Sequence, residues 1–237
     1  PGARKIKANL WPDAGFVDVG LRSDLSELTG AKTLEQDSYT GETTDIRFVD
    51  AMARGMDRQM ELDDRIIILG EDVHRLKGGT NGATKGLPDK YDGRVLGTPI
   101  SENAFAGLGG GMAMDGRFRP VVEFMYFATA PGWRVVAASN PFDYIGLMNA
   151  ALKMEDPVLM IEHVDLYTQR GLIPADDLDY HIEFGKARVV REGKDTTILS
   201  YLNMVNITKE ALDQTGLDGE LIDLRWLDRA SIDWDTI

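Results

Sequence analysis

One carboxylate, Glu102, occupies a position from which it could act on a bound ligand. It follows a short apolar run at 94–96, the turn-forming Pro99 and Ser101, a residue able to cap a helix. A strand end, a turn and a first helical turn in this order place a glutamate at the carboxyl edge of a parallel sheet, where open α/β sheets bind ligands. The alternative is that Glu102 only complements the helix dipole. The residue types leave both interpretations open.

The segment after Glu102 is unusual because a predicted helix over 101–114 contains four glycines. Each glycine in a helix interior costs roughly 1 kcal/mol relative to alanine. Such a cost indicates either that another backbone approaches closely or that the glycines serve tight packing. The four are Gly107, Gly109, Gly110 and Gly111.

Apolar, β-branched runs alternate with helical patterns along most of the chain. The strand patterns lie at 65–70, 94–96, 120–124, 134–138 and 157–161. The helical patterns lie at 46–60, 101–114 and 141–153. Continuous apolar strands that alternate with helices are typical of a parallel sheet covered on both faces. The sequence therefore predicts an α/β fold.

The same patterns divide the chain into three regions. Residues 1–45 hold no sustained period and are predicted to be an N-terminal extension or linker with a short helix near 24–28. Residues 46–180 form the first α/β domain. Residues 181–237 add one strand–helix–strand unit, which buries too little to stand alone, so this second α/β domain is predicted to be incomplete. Its elements lie at 196–201, 205–214 and 220–224.

One interval is too short for neighbouring parallel strands. Such neighbours need a crossover of roughly a dozen or more residues, but only residues 125–133 separate the strand patterns at 120–124 and 134–138. Either these strands are not neighbours in the sheet, or a segment is missing between them.

Composition excludes several classes of function. A net charge of −13 would repel a phosphate backbone or an anionic membrane surface, so neither nucleic acid nor membrane is an expected partner. The chain has no cysteine, and its three histidines lack zinc-ligand spacing. No run reaches the roughly 18 apolar residues of a spanning helix. The start of the chain has no methionine and no apolar signal, so we expect a fragment or processed product from the cytoplasm, although a mature mitochondrial matrix protein would look the same.

A series of short motifs occurs in the order and near the spacing typical of one enzyme family. Among them are Gly70-Glu71-Asp72-Val73, Thr98-Pro99-Ile100-Ser101-Glu102, Arg119-Pro120-Val121-Val122-Glu123-Phe124, Asp156-Pro157-Val158 and Ile222-Asp223-Leu224-Arg225. Over residues 46–237 the chain resembles the beta subunits of thiamine-diphosphate-dependent 2-oxo acid dehydrogenases. The resemblance implies a transketolase-like pyrimidine-binding domain over 46–180 and the first part of a transketolase C-terminal-like domain over 181–237.

The resemblance also implies roles for three residues. Glu102 is expected to contact N1′ of the cofactor's aminopyrimidine, and Ile100 to pack against that ring. A carboxyl group hydrogen-bonded to N1′ promotes the imino tautomer, which can remove the weakly acidic C2 proton of the thiazolium. Glu71 is expected to be a second acid lining the channel through which protons reach the site. The alternative for Glu71 is an ordinary acid at a strand end.

The chain departs from the family pattern in three places. The family carries a further segment, including an aromatic residue and a histidine of the site, at the point that corresponds to 126–127 of this chain. His74, His163 and His181 do not match the family's histidine motif, and we expect them to be structural. The family's monovalent-cation loop, which would take K⁺, corresponds to 151–156, from Ala151 to Asp156, with Met154 where a liganding side chain is expected.

The family's motif for Mg²⁺ and the diphosphate is absent from this sequence, which implies that an alpha-type subunit, or a fused alpha half, carries it. Thiamine diphosphate is then shared across the interface. The resemblance further implies a second beta-type chain and a lipoyl acyltransferase partner, for oxidative decarboxylation of a 2-oxo acid with acyl transfer to a lipoyl carrier. The alternatives are half of a transketolase-like or deoxyxylulose-phosphate-synthase-like enzyme, and a non-catalytic assembly module.

Overall fold

The computed structural model describes residues 23–75, 78–79, 81–115, 117–122 and 133–237. The α-helices within these ranges are α1 (Phe48–Leu62), α2 (Leu87–Lys90), α3 (Glu102–Asp115), α4 (Pro141–Lys153) and α5 (Asn203–Thr215). The strands are β1 (Thr43–Arg47), β2 (Ile66–Glu71), β3 (Val95–Thr98), β4 (Arg119–Val122), β5 (Arg134–Ala137), β6 (Val158–Ile161), β7 (Arg170–Pro174), β8 (Arg188–Arg191), β9 (Thr196–Ser200) and β10 (Gly219–Asp223). In this part of the chain, no helix is both long and apolar enough to cross a membrane.

Two parallel sheets form the framework of the region predicted as the first domain. In one, β2 lies between β3 and β4 and pairs in parallel with both. In the other, β5 pairs in parallel with β6. β2 and β5 are buried almost completely, as their continuous apolar sequences predict. The prediction of an α/β fold with parallel strands is confirmed.

The two strands that flank the short interval are in different sheets. β4 pairs with β2, whereas β5 pairs with β6. The first of the two alternatives therefore holds for these sheets: the two strands are not neighbours. The predicted missing segment near 126–127 lies outside the described residues and stays a prediction.

Helices α1 and α4 pack together and supply much of the core. In α1, Phe48, Met52, Met56 and Met60 recur at four-residue spacing and are buried along one face. Helix α4 starts where Asn140 Oδ1 accepts a hydrogen bond from the Asp143 N–H at 2.9 Å. Its first ten residues are all buried, so α4 is a central rather than a surface helix.

Antiparallel pairing joins residues that lie far apart in the sequence, and the local patterns did not predict it. β1 pairs with β7 in register from Thr43 with Pro174 to Arg47 with Arg170. Leu34 N donates to the carbonyl of His181 at 3.0 Å, so part of the predicted extension contacts the start of the second domain. The short helix expected near 24–28 is a 3₁₀ turn, Ser26–Leu28. The boundaries at 45 and 180 stay predictions.

The second domain contains the predicted strand–helix–strand unit and one strand more. β9 and β10 pair in parallel with α5 between them in sequence, and β8 adds to β10 in the antiparallel direction. The unit also contacts the first domain directly. Ala137 N donates to the carbonyl of Arg225 at 2.9 Å, and Leu227 N donates to the carbonyl of Val135 at 2.8 Å. Residues 225–227 therefore extend the β5–β6 sheet.

A buried cluster of charged groups connects all three regions. The Arg225 guanidinium, which is fully buried, donates to both oxygens of the equally buried Asp143 on α4, at 2.8 and 3.0 Å. It also donates to both oxygens of Glu35, at 2.8 and 3.0 Å. Ser139 Oγ donates to Asp223 at 2.5 Å, beside this pair. The cluster stabilises the contact between the two domains and residue 35.

Asp223 is expected to make the stability of the protein depend on pH. Burial, together with the nearby Asp143 carboxylate, raises the pKa of Asp223 from 3.8 to about 7. The folded state therefore holds this proton more tightly than the unfolded state does. The contribution of Asp223 to the free energy of unfolding is greatest below about pH 4 and is lost as the pH rises towards 7. Urea unfolding from pH 4 to 8 should show that the free energy of unfolding of the wild type falls relative to that of Asp223→Asn, by on the order of a few kcal/mol. Parallel pH curves for the two proteins would contradict this assignment.

Candidate functional site

The candidate site lies where β2 and β3 end, at the carboxyl edge of the parallel sheet. The two strands run in register, with Gly70 opposite Gly97 and Glu71 opposite Thr98. The chain leaves β2 through Asp72, which has a positive φ of 55°. It leaves β3 through Pro99 and enters helix α3 at Glu102. The structure thus brings Glu71 and the start of α3 to one edge, as sequence reasoning predicts.

Two side-chain oxygens at this edge are buried and unpaired. Oε1 of Glu71 and Oγ1 of Thr98, from directly opposite residues, have no hydrogen-bond partner in the described part of the chain. An unpaired buried polar atom typically costs about 1–3 kcal/mol. A bound group with hydrogen-bond donors or acceptors at this carboxyl edge would satisfy them. Thr98 was not predicted as a site residue, although it stands two residues before Ile100 in the motif.

Ile100 and Glu102 lie on the surface of this single chain. Ile100 is 81% exposed, which is exceptional for a large apolar side chain beside a sheet edge. Glu102 is also exposed and forms neither a hydrogen bond nor an ion pair with another described residue. Both side chains are therefore available to a ligand or to a partner subunit.

Ser101 does not cap helix α3 through its hydroxyl, which was its expected contribution. Its Oγ lies 3.3 Å from the carbonyl of Pro99, to which it donates. Its own carbonyl accepts from the N–H groups of Ala104 and Phe105, at 2.9 and 3.2 Å. Phe105 is 3% exposed and anchors the first turn of the helix. The serine thus shapes the turn that precedes Glu102.

The glycines of α3 divide into two groups. A Cβ added to Gly109 would lie 2.4 Å from Cγ2 of Val122, so this glycine allows the helix to pack tightly on β4. A Cβ at Gly107, Gly110 or Gly111 would meet no atom within 4 Å. Tight packing on the chain's own sheet therefore explains only Gly109, and the other three form a small, exposed face.

Alanine substitutions should separate these two groups. Gly109→Ala forces an overpacked contact, which typically costs about 1–3 kcal/mol and outweighs the gain of about 1 kcal/mol in helix propensity. Gly107→Ala brings the gain without the contact. We expect urea unfolding of the single chain to show a lower free energy of unfolding for Gly109→Ala and a higher one for Gly107→Ala. Changes of the same sign would contradict the packing of α3 on β4.

His74 lies closer to the site than its sequence position suggests. A Cβ at Gly97 would be only 1.6 Å from Nδ1 of His74, so the imidazole lies directly against the backbone of β3. Nε2 of His74 accepts from Nε of Arg75 at 3.1 Å. A glycine inside a strand pattern was the available signal, because such a glycine often marks a close approach. The other two histidines lie elsewhere: His163 Nδ1 accepts from the Asp165 N–H at 3.2 Å, and His181 is buried.

The end of β6 holds a partly buried carboxyl group that sequence reasoning missed. Glu162 accepts hydrogen bonds from the hydroxyls of Tyr144 at 3.0 Å and Tyr167 at 2.7 Å. Burial raises the pKa of Glu162, while the two hydroxyls lower it by a smaller amount. Both carboxyl oxygens have partners, so Glu162 fits a structural role.

The predicted cation loop shows one feature that bears on metal binding. The Asp156 carboxylate accepts from Nε and Nη2 of Arg134, at 3.2 and 3.0 Å, and from the Ser23 N–H at 3.1 Å. A side chain held in this way is paired with a cation already, so K⁺ would have to bind through main-chain carbonyls such as that of Ala151. The described residues contain no cluster of three or more acidic, histidine or cysteine side chains that could hold a metal. The K⁺ site stays a prediction.

Comparisons with known proteins agree on one family. Residues 44–128, which include Glu71, Ile100 and Glu102, match the transketolase pyrimidine-binding domain. The chain is 34% identical to the chloroplastic pyruvate dehydrogenase E1 component subunit beta-2 of Arabidopsis thaliana; the alignment of 252 positions covers 82% of this chain and 61% of that protein. It is 34% identical to the 2-oxoisovalerate dehydrogenase subunit beta of Bacillus subtilis, over 236 positions that cover 75% of this chain and 71% of the relative.

A third relative is the beta subunit of an enzyme with a different name, and one solved structure has a similar fold. The beta subunit of an acetoin oxidoreductase from Cupriavidus necator is 31% identical, with 79% of this chain and 73% of that protein covered. A split-gene transketolase, solved as an inactive beta4 tetramer, superposes with a TM-score of 0.58 at 15% identity, covering 81% of this chain and 74% of that one. The chain thus spans less than two thirds of the Arabidopsis subunit, but more than two thirds of the bacterial ones.

Proposed function

Because this chain belongs to the family of 2-oxo acid dehydrogenase beta subunits, we propose that it activates the aminopyrimidine of thiamine diphosphate for oxidative decarboxylation of a 2-oxo acid. The observation that carries the proposal is the open carboxyl edge of β2 and β3. There an exposed Ile100 and Glu102 stand beside buried oxygens of Glu71 and Thr98, and neither Glu102 nor these two oxygens have a hydrogen-bond partner among the described residues. These groups are better suited to contact with one flat, polar ring than to contact with solvent.

Each residue at this edge has a distinct task in the proposal. Bound thiamine diphosphate would supply the carbanion chemistry of the decarboxylation. Glu102 would bind the pyrimidine and hold a proton at N1′. Ile100 would cover the ring and exclude water. Glu71 and Thr98 would use their buried oxygens to orient the polar side of the ring and to pass protons to Glu102.

The proposed active unit contains more than this chain. Glu102 and Ile100 are exposed in the single chain, so a partner surface has to cover them before water is excluded. We assign this surface to an alpha-type subunit, or a fused alpha half, that carries the Mg²⁺ ligands and the diphosphate site. A second beta-type chain and a lipoyl acyltransferase complete the assembly. The proposed compartment is the cytoplasm.

One observation favours a non-catalytic assembly module as the second candidate. Each alignment has more positions than the number of residues of this chain that it covers. Part of each relative therefore has no counterpart in this chain. If that part includes groups needed for substrate, the chain would assemble with a partner and bind the cofactor without turning over substrate.

The experiment that tests the proposal measures cofactor binding and turnover with and without the partner. Calorimetry with thiamine diphosphate and Mg²⁺ should show no binding to the single chain, because the diphosphate ligands lie elsewhere. The alpha-type subunit from the same organism should restore both binding and 2-oxo acid decarboxylation. Turnover by the single chain would refute the shared site, whereas binding without turnover in the complex would support the assembly module.

A further inference from the structure

The loop at the end of helix α4 receives positive charge from two arginine side chains of this chain. The loop is residues 151–156, where the family resemblance implies a site for K⁺. Arg134, the first residue of β5, and Arg119, the first residue of β4, both donate hydrogen bonds to it. A monovalent cation at this place would have to share oxygens with these two guanidinium groups.

The carboxylate of Asp156 forms a buried ion pair with Arg134. Nε and Nη2 of Arg134 donate to one carboxylate oxygen, Oδ2, at 3.2 and 3.0 Å, and the other oxygen, Oδ1, accepts from the Ser23 N–H at 3.1 Å. Only 5% of the Arg134 side chain and 1% of the Asp156 side chain are exposed. Both oxygens therefore have partners, and a covalently attached cation already compensates the buried negative charge.

Further contacts fix the Arg134 guanidinium in place. Nη1 donates to Oγ of Ser231 at 3.2 Å, and Ser231 in turn donates to Asp228 at 2.8 Å. The guanidinium carbon lies 5.1 Å from the centroid of the Phe184 ring, within reach of a cation–π interaction. An arginine stays protonated at every ordinary pH. The positive charge beside Asp156 is therefore permanent.

A main-chain oxygen of the loop also has a guanidinium partner. Nη1 of Arg119 donates to the carbonyl of Leu152, near the C-terminal end of α4, where the helix dipole favours a cation. Nε of Arg119 lies 3.4 Å from a carboxylate oxygen of Asp63, which holds the guanidinium from its other side. A K⁺ ion bound to the Leu152 carbonyl would lie within a few ångströms of this charge and would be repelled by it.

The side chain of Met154 packs into the hydrophobic core. The resemblance implies a liganding side chain at this position, but Met154 is 6% exposed and belongs to the main cluster of buried apolar residues. A thioether is also a soft ligand, whereas a hard cation prefers oxygen. Of the two side chains that could have held a cation, Met154 is unsuitable and Asp156 is already paired. The residues of this loop do not fit a bound K⁺ ion.

From these contacts we propose that the loop binds no monovalent cation, because Arg134 and Arg119 supply the positive charge in its place. Arg134 compensates the Asp156 carboxylate, and Arg119 binds the carbonyl end of α4. The stability of the chain is then the same in K⁺, in Na⁺ and in an organic cation at equal ionic strength. The inference concerns this loop and does not rest on the proposed catalytic role.

Urea unfolding of the single chain in three salts tests the proposal. KCl, NaCl and choline chloride are compared at one ionic strength of about 0.15 M, which keeps the screening of surface charges equal. The unfolding midpoint of the wild type should be the same in all three salts. Equilibrium dialysis with Rb⁺, an ion close to K⁺ in size, should show no bound ion. A midpoint that is higher in KCl than in both other salts, or one Rb⁺ bound per chain at millimolar concentration, would overturn the proposal.

Removal of the arginine charge should create a response to K⁺. Arg134→Ala leaves the buried Asp156 carboxylate without its cation, so the urea midpoint should fall by about 1 M or more. The substitution also leaves space beside the carboxylate, and a K⁺ ion bound there would stabilise only the folded state. The midpoint of this variant should rise with KCl concentration but not with choline chloride, because choline is too large for the space. A variant that responds to KCl no more than the wild type does would overturn the proposal.

Three matched variants locate the effect. Arg134→Lys keeps a positive charge beside Asp156, so it should be more stable than Arg134→Ala and should not respond to K⁺. Arg134→Ala combined with Asp156→Ala removes the carboxylate as well, and the response to K⁺ should disappear. Arg188→Ala breaks an ion pair with Asp37 outside the loop, so it should lower the midpoint equally in all three salts. A response to K⁺ in all of these variants would reveal a general salt effect and would overturn the assignment to Arg134.

Discussion

Replacing Glu102 with glutamine is expected to lower the turnover of the assembled enzyme by about 10²- to 10⁴-fold, the usual contribution of a positioned acid or base. Glutamine keeps the volume of the side chain and one hydrogen-bonding oxygen. It cannot supply the proton that favours the imino form of the pyrimidine. The structure gives little reason for a loss of stability, since Glu102 is exposed and forms no ion pair with another described residue. Cofactor affinity and the unfolding midpoint should both stay near the wild-type values.

A second acid on the same helix provides the matched control. Asp115 lies at the other end of α3 and pairs with Arg117 at 2.6 Å on the surface. Asp115→Asn should leave turnover unchanged. Proton exchange at C2 of the bound thiazolium, measured in wild type and in Glu102→Gln, separates activation from helix-dipole effects. If exchange is equal in the two proteins, Glu102 only complements the helix dipole, and the substitution should cost about 0.3–1 kcal/mol of stability.

The largest expected effect on stability comes from Arg225. Arg225→Met keeps most of the side-chain volume but leaves the fully buried Asp143 without its cation. Breaking a buried ion pair by removing one partner typically costs about 3–5 kcal/mol. Urea unfolding should show this loss in the single chain. Because the pair joins α4 to the second domain, amide exchange of Val135 and Ala137 should also increase.

Two further variants distinguish a buried-charge effect from simple loss of contact. Arg191 pairs with Asp213 at 3.2 Å in a partly exposed position, so Arg191→Met should cost only about 0–1 kcal/mol. The double variant Arg225→Met with Asp143→Leu removes both charges and should recover much of the stability lost in the single variant. A double variant that is less stable than Arg225→Met would show that the cost does not arise from the unpaired carboxylate.

The sequence alone predicted the elements whose formation depends on local pattern. The apolar run before Gly70 forms the central strand β2, because a continuous apolar strand is stable only when both of its faces are covered. Asn140 and Pro141 begin α4 where predicted, because a cap and a proline act on the adjacent backbone. Helix α3 begins at Glu102, within one residue of the predicted start. The family also followed from the sequence, since its motifs are short and occur in order.

Only the tertiary structure decided how distant residues pair. β1 and β7 join residues 43–47 to 170–174, and Arg225 meets Asp143 from 82 positions away. His74 lies against Gly97, and Glu71 and Thr98 stand side by side with unpaired oxygens. Neither strand period nor helix period encodes such contacts, because each pattern specifies which face of an element is apolar and not which partner covers that face. The partner is selected by the burial of apolar surface and by the cost of burying a charge or polar group alone, and both terms exist only when the whole chain is packed.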